Sequence, residues 1–257
     1  MTREAIRLNM IELKTADQIT KMRKAGKVVG GLLEVLKAAV KPGLTTAELD
    51  ELARQTIVRL GGKVAFKGYR GFPGNICISV NEQVVHGIPS QRVLNEGDIV
   101  GLDVGAIVEE YYADAAVTVA VGAVSKEAKQ LLRVTESSLH EGIAKARPGN
   151  RLSDISHAVQ TCAEKAGYTV VREFVGHGIG KQLHEPPEVP NYGAPGFGPE
   201  LKAGMVLAIE PMVNLGKPAV RVLEDGWTVV TKDGNLSAHF EHTVAITEHG
   251  PEILTKQ

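Results

Sequence analysis

The feature that most constrains this chain is an order of signals that is written twice. Thr15-Ala16-Asp17-Gln18 is a capping-box pattern, in which hydroxyl and amide side chains satisfy the free N–H groups of a first turn, and it opens a long helix. That helix must stop at Lys41-Pro42-Gly43, where proline and glycine break helical geometry. A second helix opens at Thr45 or Thr46 and closes at Gly61-Gly62. The same signals then return: a helix from about Ser125 to Ala146, a stop at Arg147-Pro148-Gly149, and a helix from about Ser153 to Gly167. The following strands repeat too. Glu96-Gly97-Asp98-Ile99-Val100-Gly101-Leu102-Asp103 reads like Ala203-Gly204-Met205-Val206-Leu207-Ala208-Ile209-Glu210, each an apolar run opened by glycine and ended by a carboxylate. Pro42 to Pro148 is a shift of 106 and Asp103 to Glu210 a shift of 107. Nearly equal offsets across different elements argue for an internal duplication, the competing reading being chance likeness between two common helix–helix–strand stretches.

Two related halves would each deliver an acidic strand to a shared centre. The strands alternate polar and apolar residues and follow clustered helices, which predicts an α+β fold with helices backing an antiparallel sheet. At 257 residues the chain can bury one large core or two small ones; with both halves serving one centre we expect a single domain, 1–257, with an N-terminal tail (1–10), a first half (11–123) and a second half (124–257). Twenty-nine basic and 30 acidic residues nearly cancel, which leaves no electrostatic footprint for nucleic acid or an anionic membrane. Met1 to Met10 is polar, with Arg3, Glu4 and Arg7, and does not read as a signal peptide. Val28 to Val40, the most apolar helical stretch, is short and broken by Glu34 and Lys37. Cys77 and Cys162 read as two free thiols of a reducing compartment, so the expectation is a cytoplasmic protein. Gly176-His177-Gly178-Ile179-Gly180 is glycine-rich but matches neither common phosphate-binding loop.

Asp103 and Asp114 sit among apolar neighbours on either side of a reversal near Val108-Glu109-Glu110. A hairpin centred between Val108 and Glu109 makes them direct cross-strand partners, although these turn residues lack Asn-Gly chemistry. Two ionised carboxylates so placed repel unless a cation lies between them; the alternative is a pair of solvent-facing aspartates on an edge strand. Glu210 ends an apolar strand and precedes Pro211, which favours extended backbone. Buried there, it must be paired or bind a cation. Glu241, in His239-Phe240-Glu241-His242-Thr243-Val244, lies on another strand, and either glutamate taken alone reads as a surface residue. His177 is flanked by glycines that permit positive φ or close approach to a ligand, so its imidazole is free to face a cleft. His184 follows, and His86 lies in Val85-His86-Gly87-Ile88-Pro89; His140, His157, His249, His239 and His242 read as ordinary structural or exposed histidines. Four carboxylates and one imidazole balance two divalent cations, and an oxygen-rich set favours harder ions such as manganese or iron.

Those five residues, in this order and spacing, resemble the ligand set of the methionine aminopeptidases, together with Phe174-Val175-Gly176-His177-Gly178-Ile179-Gly180-Lys181-Gln182-Leu183-His184 and Val189-Pro190-Asn191-Tyr192. The resemblance runs from about Ile11 to Ile253. It implies the pita-bread fold, whose halves are related by a pseudo-twofold axis, and two divalent metal ions (Mn, Fe, Co, Zn or Ni) held by Asp103, Asp114, His177, Glu210 and Glu241. It implies removal of the initiator methionine from nascent polypeptides with a small second residue, by metal-activated water attack on the peptide bond. Glu210 would act as general base, His184 would face the scissile carbonyl, and His86 the nitrogen beyond it. The methionine pocket maps onto Tyr69, Phe72, Cys77 and Trp227, with Leu183 where some relatives carry an aromatic; Trp227 taken alone reads as packing. The chain resembles the short type I enzymes, usually monomers, for which docking at the ribosome is a further expectation. Met10-Ile11-Glu12-Leu13-Lys14 looks like the family's common start, so translation from Met10 rather than Met1 is also expected. The rivals are a prolidase or proline-specific aminopeptidase of the same fold and a non-catalytic pita-bread protein that binds partner proteins.

Overall fold

The computed structural model describes residues 11–256. The tail, and with it the choice between Met1 and Met10 as the start, lies outside the described residues. Helix α1 (Ala16–Ala39) opens with the expected capping box between Thr15 and Gln18, and α2 (Thr46–Arg59) with a second one between Thr45 and Glu48. Helices α3 (Lys126–Lys145) and α4 (Leu152–Lys165) stand at the corresponding places of the second half. None of these helices is long and apolar enough to cross a membrane.

The duplication is visible in backbone detail. Gly43 and Gly149 share a φ of 88°, Gly61 and Gly167 lie at 82° and 86°, and Gly97 and Gly204 share 95°. Thr45 bridges Val93 as Arg151 bridges Glu200, and the Gly43 N–H donates to the Leu94 carbonyl as that of Gly149 does to Leu201. Each pair keeps the 106–107 offset seen in sequence. A left-handed glycine that recurs at fixed spacing marks the same loop built twice, because other residues resist that conformation.

The main sheet has nine strands and is antiparallel throughout its pairings. The first half supplies β1 (Lys63–Val64), β2 (Cys77–Val80), β4 (Ile99–Val108) and β5 (Tyr111–Ala120). The second supplies β7 (Gly176–Gly178), β8 (Glu185–Val189), β9 (Val206–Ile209), β14 (Glu241–Thr247) and β15 (Gly250–Ile253). Their order is β1-β4-β5-β14-β9-β7-β8, with β2 also on β4 and β15 on β14. Strand β4 thus mirrors β9, and β5 mirrors β14, about the central β5–β14 seam. Three-stranded sheets flank this one: β13 (Ser237–His239), β10 (Met212–Asn214) and β6 (Thr169–Val170) form one, and β11 (Val220–Val222), β12 (Val229–Thr231) and β3 (Gln83–Val85) the other.

Helices back the sheet, and each half packs its own core. Leu32, Leu36, Leu49 and Ile57 of the first helix pair close over Val100, Leu102 and Val104 of β4. Leu131, Leu139, Ile155 and Val159 of the second pair close over Leu207, Ile209 and Val244. The seam between halves is short. Glu241 faces Ala116 and His242 faces Ala115, and beyond them threonine hydroxyls take over on both sides. The Thr243 Oγ1 donates to the Asp114 carbonyl (2.7 Å) and accepts the Asp114 N–H (2.9 Å). Thr118 Oγ1 does the same with His239, at 2.9 Å each way. These reciprocal bonds hold the strands together where they begin to part, which leaves a hollow on one sheet face.

Candidate metal centre

Four carboxylates end up in that hollow because of where the strands put them. Asp103 and Asp114 lie on β4 and β5, but they are not direct partners: Asp103 pairs with Ala116 and Asp114 with Gly105. The hairpin is centred between Glu109 and Glu110, one residue later than the sequence suggests. Both turn residues take positive φ, 48° and 69°, the two-residue geometry usually given to Asn-Gly. The aspartates are therefore diagonal neighbours on one face, still within reach of a shared ion. Glu210 follows β9 directly, and its carbonyl accepts a 3.0 Å bond from the Asn191 amide. Glu241 begins β14 beside the seam.

His177 lies in the middle of β7, with its Nε2 3.5 Å from Glu210 Oε1 and 3.9 Å from Asp114 Oδ2. The Nδ1 lies 2.9 Å from the Gly178 carbonyl, which can only accept, so Nδ1 carries the proton and Nε2 presents a lone pair. The flanking glycines do not take positive φ, contrary to one reading of the sequence. A Cβ on Gly176 would lie 2.3 Å from the Ala208 carbonyl, and one on Gly178 2.2 Å from that of Pro186. They are glycine because neighbouring strands press against them.

Asp114, His177 and Glu241 each offer one ligand atom, all within 4.8 Å of one another. Asp103 Oδ1, Asp114 Oδ1 and Glu241 Oε1 are buried without a hydrogen-bond partner. Orphaned acceptors that face one another are costly without positive charge between them. Burial, with mutual repulsion where several carboxylates meet, raises Asp114, Glu210 and Glu241 well above the usual range. Burial alone pushes Asp103 up to about 7. Burial lowers His177 to about 4, so it is neutral and able to ligate at physiological pH. The donor set fits divalent cations: hard oxygens, one imidazole, and enough negative charge to neutralise them.

Around this set lies a cavity of about 140 Å³. Every residue singled out in the sequence lines it: the five above together with Tyr69, Phe72, Cys77, His86, Leu183, His184 and Trp227. Cys77 is buried directly opposite Asp103, and burial together with the neighbouring carboxylates raises its thiol well above the ordinary value. Trp227 stands edge-on to Phe72 with ring centroids 5.1 Å apart, and Tyr69 stacks on His184 at 5.3 Å. The Tyr69 hydroxyl lies 2.9 Å from His184 Nδ1, and desolvation lowers His184 to about 3. His86 has a φ of 60° and is lowered by burial.

Three residues of the site are not evident from the sequence. Phe66 and Arg70 also line the cavity. A Cβ on Gly105 would lie 2.5 Å from the Phe66 ring, and that glycine next to an aspartate strand was the available sign. His239, which reads as ordinary in sequence, is buried with its Nε2 3.7 Å from Glu210 Oε2. His239 ends β13 and Glu241 begins β14, with Phe240 between them, so closeness in sequence to Glu241 was the one available hint.

The fold and site define a class, and comparison agrees. The profile of metallopeptidase family M24 matches residues 20–248, and the chain belongs to that family, whose members bind divalent metal. Within it the chain stands among the methionine aminopeptidases. It is 56% identical over 246 residues to the methionine aminopeptidase of Clostridium perfringens, covering 96% of this chain and 99% of that one. With methionine aminopeptidase 1 of Bacillus subtilis it shares 55% over 247 residues, 96% and 100% of the two chains. The crystal structure of methionine aminopeptidase from Thermotoga maritima superposes with a TM-score of 0.95 at 50% identity, covering 96% and 100%. A prolidase from Pyrococcus furiosus, at 21% identity and TM-score 0.81, covers 100% of this chain and 69% of that one, and shares the pita-bread fold.

Proposed function

We propose that this protein removes the N-terminal methionine from newly made polypeptides whose second residue is small. The observation that carries this reading is the convergence of four buried carboxylates, three with orphaned oxygens, and a neutral imidazole beside an apolar pocket. Asp103, Asp114, His177, Glu210 and Glu241 would hold two divalent ions, with manganese or iron best suited to the oxygen-rich set, although cobalt, nickel and zinc also fit it. Such ions supply Lewis acidity and a water acidic enough to attack a peptide carbonyl near neutral pH.

The chain's own residues do the rest. Tyr69, Phe72, Cys77 and Trp227 receive the methionine side chain; sulfur against aromatic edges adds roughly 0.3–1.5 kcal/mol to apolar burial. Glu210 takes the proton of the attacking water and passes it to the leaving nitrogen, a role worth about 10²–10⁴-fold. The Tyr69 hydroxyl donates to His184 Nδ1, which leaves the His184 Nε2–H to donate to the scissile carbonyl oxygen as negative charge develops there. His86 faces the nitrogen beyond the scissile bond. We read residues 11–123 and 124–257 as halves of one catalytic unit, acting as a cytoplasmic monomer with the emerging chain, and docked at the ribosome, as its substrate.

The deciding experiment strips the protein with a chelator, restores single divalent ions, and follows cleavage of Met-Ala-Ser and of Ala-Pro peptides. The expected result is methionine release that depends on added metal, with Ala-Pro left intact. Cleavage of Ala-Pro in place of Met-Ala-Ser makes it a proline-specific enzyme, and metal binding without any cleavage makes it a binding protein.

A further inference from the structure

Lys14 is buried, an unusual place for an ammonium group. It lies in the segment before α1, which belongs by chain order to the first half, yet it reaches a carboxylate of the second. Its Nζ forms an ion pair with Glu185, the side chains being 3% and 10% exposed. Glu185 is the residue after His184. Its other oxygen accepts the Gln182 N–H at 3.0 Å, so one carboxylate closes the loop 180–185 on itself and fastens it to Lys14. The backbone is shaped for this contact. A Cβ on Gly180 would lie 2.5 Å from Lys14 Cε and 2.7 Å from Glu185 Oε1. On the other side, the Lys14 N–H donates to the Gly204 carbonyl at 2.7 Å, and Gly204, at φ 95°, packs under the same segment. Strap and loop are thus held at three points, and none of them touches the cavity.

His184 projects from the end of this loop. Its ring lies between Tyr69 and His177, with centroids 5.3 Å and 4.2 Å away, but those contacts fix only the side chain. Its backbone spans between Gly180, whose carbonyl accepts the Tyr112 N–H at 2.8 Å, and Glu185, which begins β8 opposite Gly178 and whose carboxylate holds the ion pair. We infer that Lys14 is a positioning residue, whose buried ion pair with Glu185 holds the loop so that His184 faces the scissile carbonyl. The N-terminal strap is therefore part of the working site. This rests on the reading of His184 given above. With the pair broken, Glu185 is left buried and uncompensated, and the loop moves to bring it to water.

Lys14→Met keeps the length of the side chain and removes its charge. With Met-Ala-Ser as substrate, kcat is expected to fall about tenfold or more with KM changed less than threefold, since the methionine pocket is untouched. In a His184→Ala background the same substitution is expected to cost less than twofold, because the group it positions is already gone. Lys14→Arg should recover part of the loss. Independently of turnover, tryptic cleavage after the exposed Lys181 should be faster in Lys14→Met than in the parent. Equal losses with and without His184, or unchanged cleavage at Lys181, overturn the inference. Should Lys14→Met not fold, Glu185→Gln is read by the same two measures. If the parent itself releases no methionine, the proposed function fails, while the cleavage arm still tests the clasp.

Discussion

The two halves share a scaffold to within one residue of register, yet they join its central strands differently. In the first, β4 becomes β5 through Glu109 and Glu110 alone, a tight hairpin that delivers Asp103 and Asp114 on paired strands. In the second, residues 210–240 intervene between β9 and β14 and carry β10 to β13, Trp227 and His239. The hairpin half contributes charge from a rigid ladder. The extended half contributes charge as well, but also His177, the buried His239 beside Glu210, and the tryptophan wall of the pocket. A duplicated frame thus supplies near-symmetric carboxylates, and the longer connection of the second half adds His239 beside Glu210 and Trp227 on the cavity wall.

The sharpest way to break that division is to make the same change at the two acids that the pseudo-twofold relates, Asp103 within β4 and Glu210 just after β9. Glu210→Gln is expected to lower kcat by about 10²–10⁴-fold at saturating metal, with folding intact, because a proton acceptor is lost. Asp103→Asn is expected to act chiefly through metal affinity, so that raising the metal concentration restores most of the rate. Titration of metal by calorimetry beside steady-state kinetics separates the two. If both variants recover alike, the halves are chemically equivalent and Glu210 has no special role.

A smaller effect should appear in the protein stripped of metal. Burial raises Asp103 from an ordinary 3.8 to about 7, and Asp114, Glu210 and Glu241 also rise. A carboxyl with a raised folded pKa stabilises the folded state below its unfolded pKa, and that contribution is lost as pH climbs through the folded value. Taken alone, these carboxyls make metal-free protein melt at lower temperature as pH rises from about 4 to about 7, and saturating divalent ion should remove that contribution. The buried histidines act in the opposite sense. His177 and His242, lowered to about 4 by burial, and His239, lowered to about 3, remain neutral in the fold but gain protons when unfolded. They take stability away as pH falls below about 6.5, with or without metal. Calorimetric scans across pH 4–8 with and without saturating metal check both signs, because the histidines act in either state and the difference between the two curves isolates the carboxylates; a difference that does not grow with pH removes the case for clustered, proton-bearing carboxylates.

What was legible in the sequence follows from the same asymmetry. Caps, proline stops and the repeated glycines are local signals, and they located the four α-helices of the described residues and the duplication, since each acts within a few residues of itself. Asp103 and Glu210 stood out because an apolar run that ends in a carboxylate carries that charge toward the interior, where it demands a cation or a partner, and Asp114 through its hairpin with Asp103; Glu241, which opens its strand, was singled out only by the family resemblance. The hairpin register was not, because Glu109 and Glu110 carry none of the residue types that announce left-handed backbone. His239 escaped for a different reason: its meaning depends on Glu210, which is distant in sequence and meets it only across the strand pairing. The glycines beside His177 show the same limit, for the carbonyls that demand them belong to other strands.

That hairpin turn offers the smallest effect and the cleanest check on its passivity. Left-handed backbone costs a residue with a side chain roughly 1–2 kcal/mol, and Glu109 and Glu110 both adopt it. Replacing them by Asn-Gly (E109N/E110G) relieves this cost but removes the surface pair of Glu109 with Lys24, worth about 0.2–1 kcal/mol. The net expectation is a gain of about 1 kcal/mol, or a melting temperature higher by about 2–4 °C. Aminopeptidase kinetics should stay within twofold of the parent, because ten ladder pairs from Val108–Tyr111 to Ile99–Ala120, and the Thr243 cross-link at Asp114, already fix where the two aspartates stand. A stabilised variant with altered kcat has only one physical route: the turn must shift the ladder that carries the acids. The first half would then tune its carboxylates through its own connection.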